Sequence, residues 1–309
     1  MSGPKVVALG GGHGLFASLQ ALRRVTDQLT AVVTVADDGG SSGRLRDELD
    51  ALPPGDLRMA LAALAGEDAW GSTWERLLQH RFAGDGPLGG HAVGNLLLTG
   101  LTESTGDPVT ALDLVGRVLG CTGRVLPMSP VPLQICATVT GADNSVTEAV
   151  GQLAVATASG RMTDVRLNPV DPPACKEAVS AVDEADWVVF GPGSWFTSVL
   201  PHLLVPELRD ALVRTAARRL VVLNLVPQTG ETEGFSPEAH LDVVTGHTPD
   251  LRLDVVLADE AAVVDTHGLM ASVESAGGRL VLASLAVPDG SPRHDPSRLA
   301  SAYAQIFES

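Results

Sequence analysis

Two glycine-rich turns and one pair of adjacent aspartates are the groups in this chain whose types and spacing suit chemistry. Gly10-Gly11-Gly12-His13-Gly14 follows the apolar run Lys5–Leu9 and precedes Leu15–Leu22, where apolar residues recur at helical spacing. Glycines let a backbone turn tightly against a diphosphate, and the helix start that follows offers free N–H groups and a partial positive charge. Gly11, Gly12, His13 and Gly14 are therefore candidate phosphate contacts. The spacing is not G-x-G-x-x-G, because Leu15 stands three residues after Gly12, and no Gly-Lys-Ser/Thr follows. The fingerprints of a dinucleotide dehydrogenase and of a P-loop kinase are both missing. Four glycines in five residues still exceed what a plain strand-to-helix turn needs.

Asp37 and Asp38 close a second apolar run, Thr30–Ala36, where dinucleotide-binding folds place the acid that holds ribose hydroxyls. Adjacent carboxylates also suit Mg²⁺ bridged by phosphate, or simply the capping of the next helix. Gly191-Pro192-Gly193-Ser194 repeats the physics of the first loop, so Gly191, Gly193 and Ser194 join the candidates. Trp195 and Phe196 beyond it stack on a ring or pack in the core. Asn224 ends the run VVLN, beside the turn Gln228–Thr232. His91 and Asn95 fall on one helical face, four residues apart. His80, His202, His240 and His247 read as core or surface histidines. No nucleophile elbow, zinc-protease helix or paired-carboxylate signal stands out. By themselves these residues define a nucleotide site without an identifiable reaction.

The elements that must position them read as follows. Strand, glycine turn, helix and second strand open a doubly wound α/β sheet. From Pro53 to about residue 120 the pattern is helical: Leu57–Leu64 with Asp56 as N-cap, Trp74–Phe82, a helix opened by Gly90–Asn95, and Val109–Leu119. Residues from about 124 to 168 read as β-rich, including VLPMS, LQICATVTG, QLAVATAS and MTDVRLNP. Strands and helices then alternate from Asp171 to the closing helix Pro296–Phe307. The expectation is one α/β domain over residues 1–309, with a helical insertion after strand two and a β-rich excursion mid-chain.

Composition narrows the function. The 309 residues are 45% hydrophobic but only 4% aromatic, so the core must be Val, Leu, Ala and Ile. A net charge of −16 argues against nucleic acid as a partner, because such proteins present a basic face to phosphates. Lys5 and Lys176 are the only lysines; the remaining positive charge is arginine, whose fork suits phosphate. Cys121, Cys136 and Cys175 lack metal-ligand spacing and read as free structural thiols in a reducing compartment. No apolar run reaches the roughly 20 residues of a membrane helix, so no membrane insertion is expected. A strand begins almost at the first residue, leaving no room for a signal peptide; a cytoplasmic protein is expected.

The run Thr34-Val35-Ala36-Asp37-Asp38-Gly39-Gly40-Ser41-Ser42-Gly43-Arg44-Leu45-Arg46 resembles the signature of the YvcK-type gluconeogenesis factors. Pro53-Pro54-Gly55-Asp56, His80-Arg81-Phe82, Gly90-His91 with Gly94-Asn95-Leu96-Leu97, Gly191–Ser194, Thr197–Pro201, Leu204–Pro206 and Arg293-His294 match as well, over nearly the whole chain. That group lies within the wider family of phospholactate transferases that build the deazaflavin cofactor. The resemblance implies a Rossmann-like fold that binds a UDP-sugar, notably UDP-N-acetylglucosamine, with no firm catalytic residue and no firm cofactor; Asp37 and Asp38 are the metal candidates if Mg²⁺ is used. It implies a role in cell shape and peptidoglycan precursor supply on gluconeogenic carbon sources. It also implies a homo-oligomer and a protein partner in cell-wall or carbon regulation. Carried over by motif, the diphosphate lies near Gly11 to Gly14 and Gly191, Gly193 and Ser194, with Asp37, Asp38 and Asn95 along the cleft and Arg293 on the nucleotide sugar. His13 stands where many relatives carry Thr, and Met59 where many carry Asn. The other branch of the family implies an Mg²⁺-dependent transfer of a phospholactyl-like group to a deazaflavin hydroxyl.

Overall fold

The computed structural model describes residues 3–309, apart from residues 142, 159, 229–231, 233 and 234. Seven parallel strands form the central sheet: β1 (Val6–Gly10), β2 (Leu29–Val33), β3 (Arg124–Pro127), β7 (Trp187–Phe190), β8 (Arg218–Val222), β9 (Val255–Asp259) and β10 (Arg279–Ala283). β1, β7 and β9 are buried along their whole length, as unbroken apolar runs in a parallel sheet require. The order is β10-β9-β8-β7-β1-β2-β3. The chain therefore builds outward from β1 to β3, returns, and builds the other way from β7. The reversal lies between β1 and β7, and open α/β sheets collect ligands beyond the carboxyl ends of the strands at such a point.

Helix α1 (Gly12–Leu22) follows β1 and packs against α3 (Gly55–Leu64) and α12 (Pro296–Glu308). The helical insertion comprises α2 (Gly40–Leu49), α3, α4 (Ala69–Gln79), α5 (Val93–Thr105) and α6 (Pro108–Leu119). Its boundaries are local chemistry. Asp68 accepts the Gly71 N–H at the start of α4, and Asp107 caps α6 with Pro108 in its first turn. The helix expected over Trp74–Phe82 starts and stops earlier, because the Asp68 cap sets its first turn.

A second sheet of three antiparallel strands, β5-β4-β6, is made by β4 (Gln134–Thr140), β5 (Val146–Val150) and β6 (Arg161–Asn168). Two expectations for this region are corrected. VLPMS contributes β3 to the main parallel sheet, where its apolar residues are buried beside β2. QLAVATAS is not a strand: α7 spans Gln152–Thr157 after Gly151, and only Val155 is buried. Alanine-rich sequence takes the helix readily where no neighbouring strand needs its edge. Helices α8 (Lys176–Asp183) and α9 (Pro206–Arg214) pack together, and α10 (Pro237–His247) and α11 (Thr266–Ser275) complete the set. No described helix is long and apolar enough to cross a membrane. The three cysteines are free thiols, and burial pushes Cys121 up to about 12 and Cys175 up to about 11. Neither environment is that of a reactive thiolate.

Candidate functional site

Three loops meet at the sheet reversal. In the first, Gly11 is extended as N-cap of α1 and Gly12 takes the left-handed φ of +58°. Gly14 lies so close to the second loop that a Cβ there would overlap the Pro192 carbonyl. The loops after β1 and β7 are thus pressed backbone to backbone. In the second loop, the Gly193 N–H donates to Asn224 Oδ1 at 3.0 Å, and Asn224 Nδ2 returns a bond to the Gly193 carbonyl at 2.8 Å. Asn224 clips the loop after β7 to the segment after β8. Ser194 Oγ accepts the Thr197 N–H at 3.0 Å and caps the π-turn Trp195–Val199. The polar groups expected to face phosphate in this loop are engaged in building the loop itself. Trp195 and Phe196 are 1% and 3% exposed, which settles them as core residues beside His240 and Phe235.

Between these loops and the segment before α12 lies a cavity of about 440 Å³, lined by His13, Gly14, Gly193, Asn224, Arg293 and His294. His13 is exposed at its mouth. Arg293 is exposed as well, tethered to Asp289 at 2.8 Å and to Ser291 Oγ at 2.9 Å. Burial pushes His294 down to about 4, so its ring is neutral at physiological pH. Gln228 lines the same cavity, whereas Thr229, Gly230 and Glu231 of its turn lie outside the described residues. Asn224→Ala removes both clips on Gly193, and a loss of about 1–3 kcal/mol in thermal unfolding is expected.

A second polar cluster sits against the floor of the glycine loop. The Asp37 carboxylate accepts the Gly39 N–H at 2.9 Å and bonds Ser42, while burial raises its pKa. Asp38 adds its charge to Asp37, and its Oδ1 accepts the Leu153 N–H of α7 at 3.3 Å. Asp56, from a different element, is the other acid of this cluster. Asp56 was expected to cap α3; Pro54 takes that position instead, and Asp56 lies within the first turn. Its carboxylate accepts the Gly12 N–H, and burial, then the charge on Asp37, pushes it up to about 7. The sequence signal was the Pro53-Pro54-Gly55-Asp56 motif, which by local rules reads only as a helix start. Arg58, 4% exposed, opposes both carboxylates.

Asn95 is 1% exposed and points its amide inward: Nδ2 donates to Ser41 Oγ at 2.9 Å, and Ser41 Oγ meets His91 Nδ1 at 2.9 Å. The Ser41 hydroxyl thus bridges the Asn95 amide and the His91 ring. Burial, then Arg44, lowers the His91 pKa, in keeping with a neutral ring. Asn95 and His91 therefore hold the first turn of α2 in place.

A phosphate at Gly12 would meet two carboxylates, so its charge must be offset. Asp37 and Asp56 fit a hard divalent cation such as Mg²⁺, which binds through one or two carboxylates, phosphate oxygens and water. Among the described residues no group of three or more His, Cys, Asp or Glu gathers as a ready metal cage.

A parallel doubly wound sheet with a polar cleft at its reversal point defines a Rossmann-like α/β protein. The chain belongs to the family described as 2-phospho-L-lactate transferase CofD, which matches residues 6–277. A protein named "Putative gluconeogenesis factor" from Mycobacterium tuberculosis is 55% identical over 302 residues, covering 96% of this chain and 88% of that one. The "Gluconeogenesis factor" of Halalkalibacterium halodurans is 40% identical over 266 residues, covering 86% of this chain and 80% of that one. A crystal structure of a UPF0052-family protein from Bacillus halodurans superposes with a TM-score of 0.87 at 35% identity, covering 98% of this chain and 99% of that one. The resemblance read from the ADDGGSSGRLR run and the Rossmann-like expectation are both borne out.

Proposed function

We propose that this chain is a cytoplasmic regulatory protein that binds a nucleotide sugar, UDP-N-acetylglucosamine, and passes that state to a protein partner as a homo-oligomer. Its role is cell morphology and peptidoglycan precursor supply during growth on gluconeogenic carbon. The observation that carries this reading is the cavity at the sheet reversal, which gathers His13, Gly14, Gly193, Asn224 and Arg293 from separate parts of the chain. Its volume of about 440 Å³ lies within the roughly 300–1,000 Å³ of small-molecule sites. Arg293 supplies a planar fork for a diphosphate or uracil carbonyl. Calorimetry with UDP-N-acetylglucosamine and with UDP is the direct test. Binding is expected with the sugar nucleotide, weakened about tenfold by Arg293→Ala, which removes a charge-assisted contact. Ligand at about 100 times its Kd should add about 2.7 kcal/mol of stability. No heat with either ligand at high micromolar concentration would sink the reading.

One observation favours a second reading, an Mg²⁺-dependent transferase of a phospholactyl-like group. The Asp37 charge acts on Asp56, whose carboxylate accepts the Gly12 N–H of the glycine loop, and both pKa values are raised. In that reaction an acceptor hydroxyl oxygen bonds to the donor phosphorus and the phosphorus–oxygen bond to the nucleotide breaks. The hydroxyl proton passes to one of these carboxylates. Bound Mg²⁺ would offset the phosphate charge. Incubation with a deazaflavin precursor, a nucleotide donor and Mg²⁺, read by mass spectrometry, tests it. A new phosphodiester supports the transferase; unchanged acceptor overturns it.

A further inference from the structure

Two motifs in the sequence, Arg44-Leu45-Arg46 and His80-Arg81-Phe82, place no residue in the cavity at the sheet reversal. The fold nevertheless brings Arg44 and Arg81 side by side. Arg44 Nη2 donates to the Gly89 carbonyl at 2.8 Å and Arg81 Nη1 donates to the Gly90 carbonyl at 2.8 Å. Two exposed guanidinium groups are thus anchored on consecutive carbonyls, over glycines that add no side chain to the floor. Each keeps the remainder of its five N–H donors. Among the described residues neither has a carboxylate within ion-pair distance, and neither does Arg58, in a chain with 37 acidic residues against 21 basic ones.

Arg58 is the third member. It is 4% exposed, its Nη1 bonds Gln79 Oε1, and its Nε has no partner among the described residues. Burial, then the charge of Arg81, lowers its pKa to about 10 against the opposing charges of Asp56 and Asp37 on its other side. Arg44 and Arg81 likewise act on buried His91, opposed only by Glu48. Arg44 and Arg81 have no ion-paired carboxylate among the described residues, and like charges held together raise the energy of the free protein, which an anion relieves. The guanidinium fork matches a tetrahedral oxyanion with paired, charge-assisted hydrogen bonds.

We propose that Arg44 and Arg81, backed by Arg58, form a second anion site that takes the phosphate of a small phosphomonoester, separate from the cavity lined by His13 and Arg293. It does not depend on which nucleotide the cavity holds.

The test is calorimetry on the full chain with two probes, inorganic phosphate and glycerol 3-phosphate, with and without saturating UDP-N-acetylglucosamine. Both probes share the dianion; tighter binding of glycerol 3-phosphate would identify an esterified ligand, and equal binding the free ion. Because both arginines are exposed, the double variant Arg44→Gln/Arg81→Gln keeps its fold, which a thermal melt verifies. It is expected to weaken the probes at least about tenfold through lost charged hydrogen bonds, while Arg293→Gln changes them by less than about twofold. Three results would overturn the proposal: no binding of either probe up to about 10 mM, an unchanged affinity in the double variant, or displacement of the probes by the nucleotide sugar. A protein that ignores the nucleotide sugar yet binds the probes through Arg44 and Arg81 would overturn only the proposed function.

Discussion

Gly14→Val is expected to destabilise the fold by about 3 kcal/mol and to lower the melting temperature by about 5 °C or more. A Cβ at position 14 would overlap the Pro192 carbonyl and lie 2.8 Å from Gly193 Cα. These are backbone atoms, and no side-chain rotation relieves the clash. The loops after β1 and β7 must separate, breaking the Asn224 clips and opening the cavity, so nucleotide-sugar binding should be lost with the stability. Gly12→Ala is the control: a Cβ there meets nothing within 4 Å, and its cost is the left-handed backbone, about 1–2 kcal/mol. Thermal denaturation of both variants checks the pair. Equal melting temperatures for Gly14→Val and the parent would contradict the close packing of the loops.

Asp56→Asn should act in the opposite direction and only in part of the pH range. The carboxyl has a pKa of about 7 in the folded chain against 3.8 when unperturbed. Below pH 3.8 the group is protonated folded and unfolded, and its full contribution to stability is present. As pH rises from there towards 7 the unfolded chain releases the proton first, so stability falls; above 7 the loss is complete. The amide keeps an acceptor for the Gly12 N–H but never ionises. At pH 8 the variant is therefore expected to be more stable than the parent, by up to about 4 kcal/mol, a shift of about three pH units at about 1.4 kcal/mol each. At pH 4 the two should melt together. Millimolar Mg²⁺ should narrow the gap at pH 8 by stabilising the parent alone, if Asp37 and Asp56 hold the cation. Melting curves from pH 4 to 8 that run parallel would refute the raised pKa. A group kept at a cost to stability on the floor of a ligand-type loop is what a functional site accumulates.

Much of this was legible in the chain. Unbroken apolar runs such as VVALG and WVVF are written for strands buried on both faces, and the run Lys5–Leu9 placed β1 to within a residue. Glycine runs after them marked both loops, and Asp107-Pro108 with Gly120 bounded α6, because caps act within one turn. Other features were decided by contacts across long stretches of sequence. Asp38 was read as the companion of Asp37, yet it bonds Leu153, 115 positions away. Asp56 read as a helix cap until α3 packed against α1 and carried its carboxylate to Gly12. Asn224 was identified as a cleft residue, but only the pairing of β7 with β8 shows that its amide is consumed by Gly193. QLAVATAS alternates like a strand and became a helix. Periodicity and turn chemistry are local, so the sequence by itself determined the elements, their order and the glycine loops. Burial, and with it the charge state of a carboxyl or the partner of an amide, depends on what the folded chain brings alongside, and only the tertiary structure decided those.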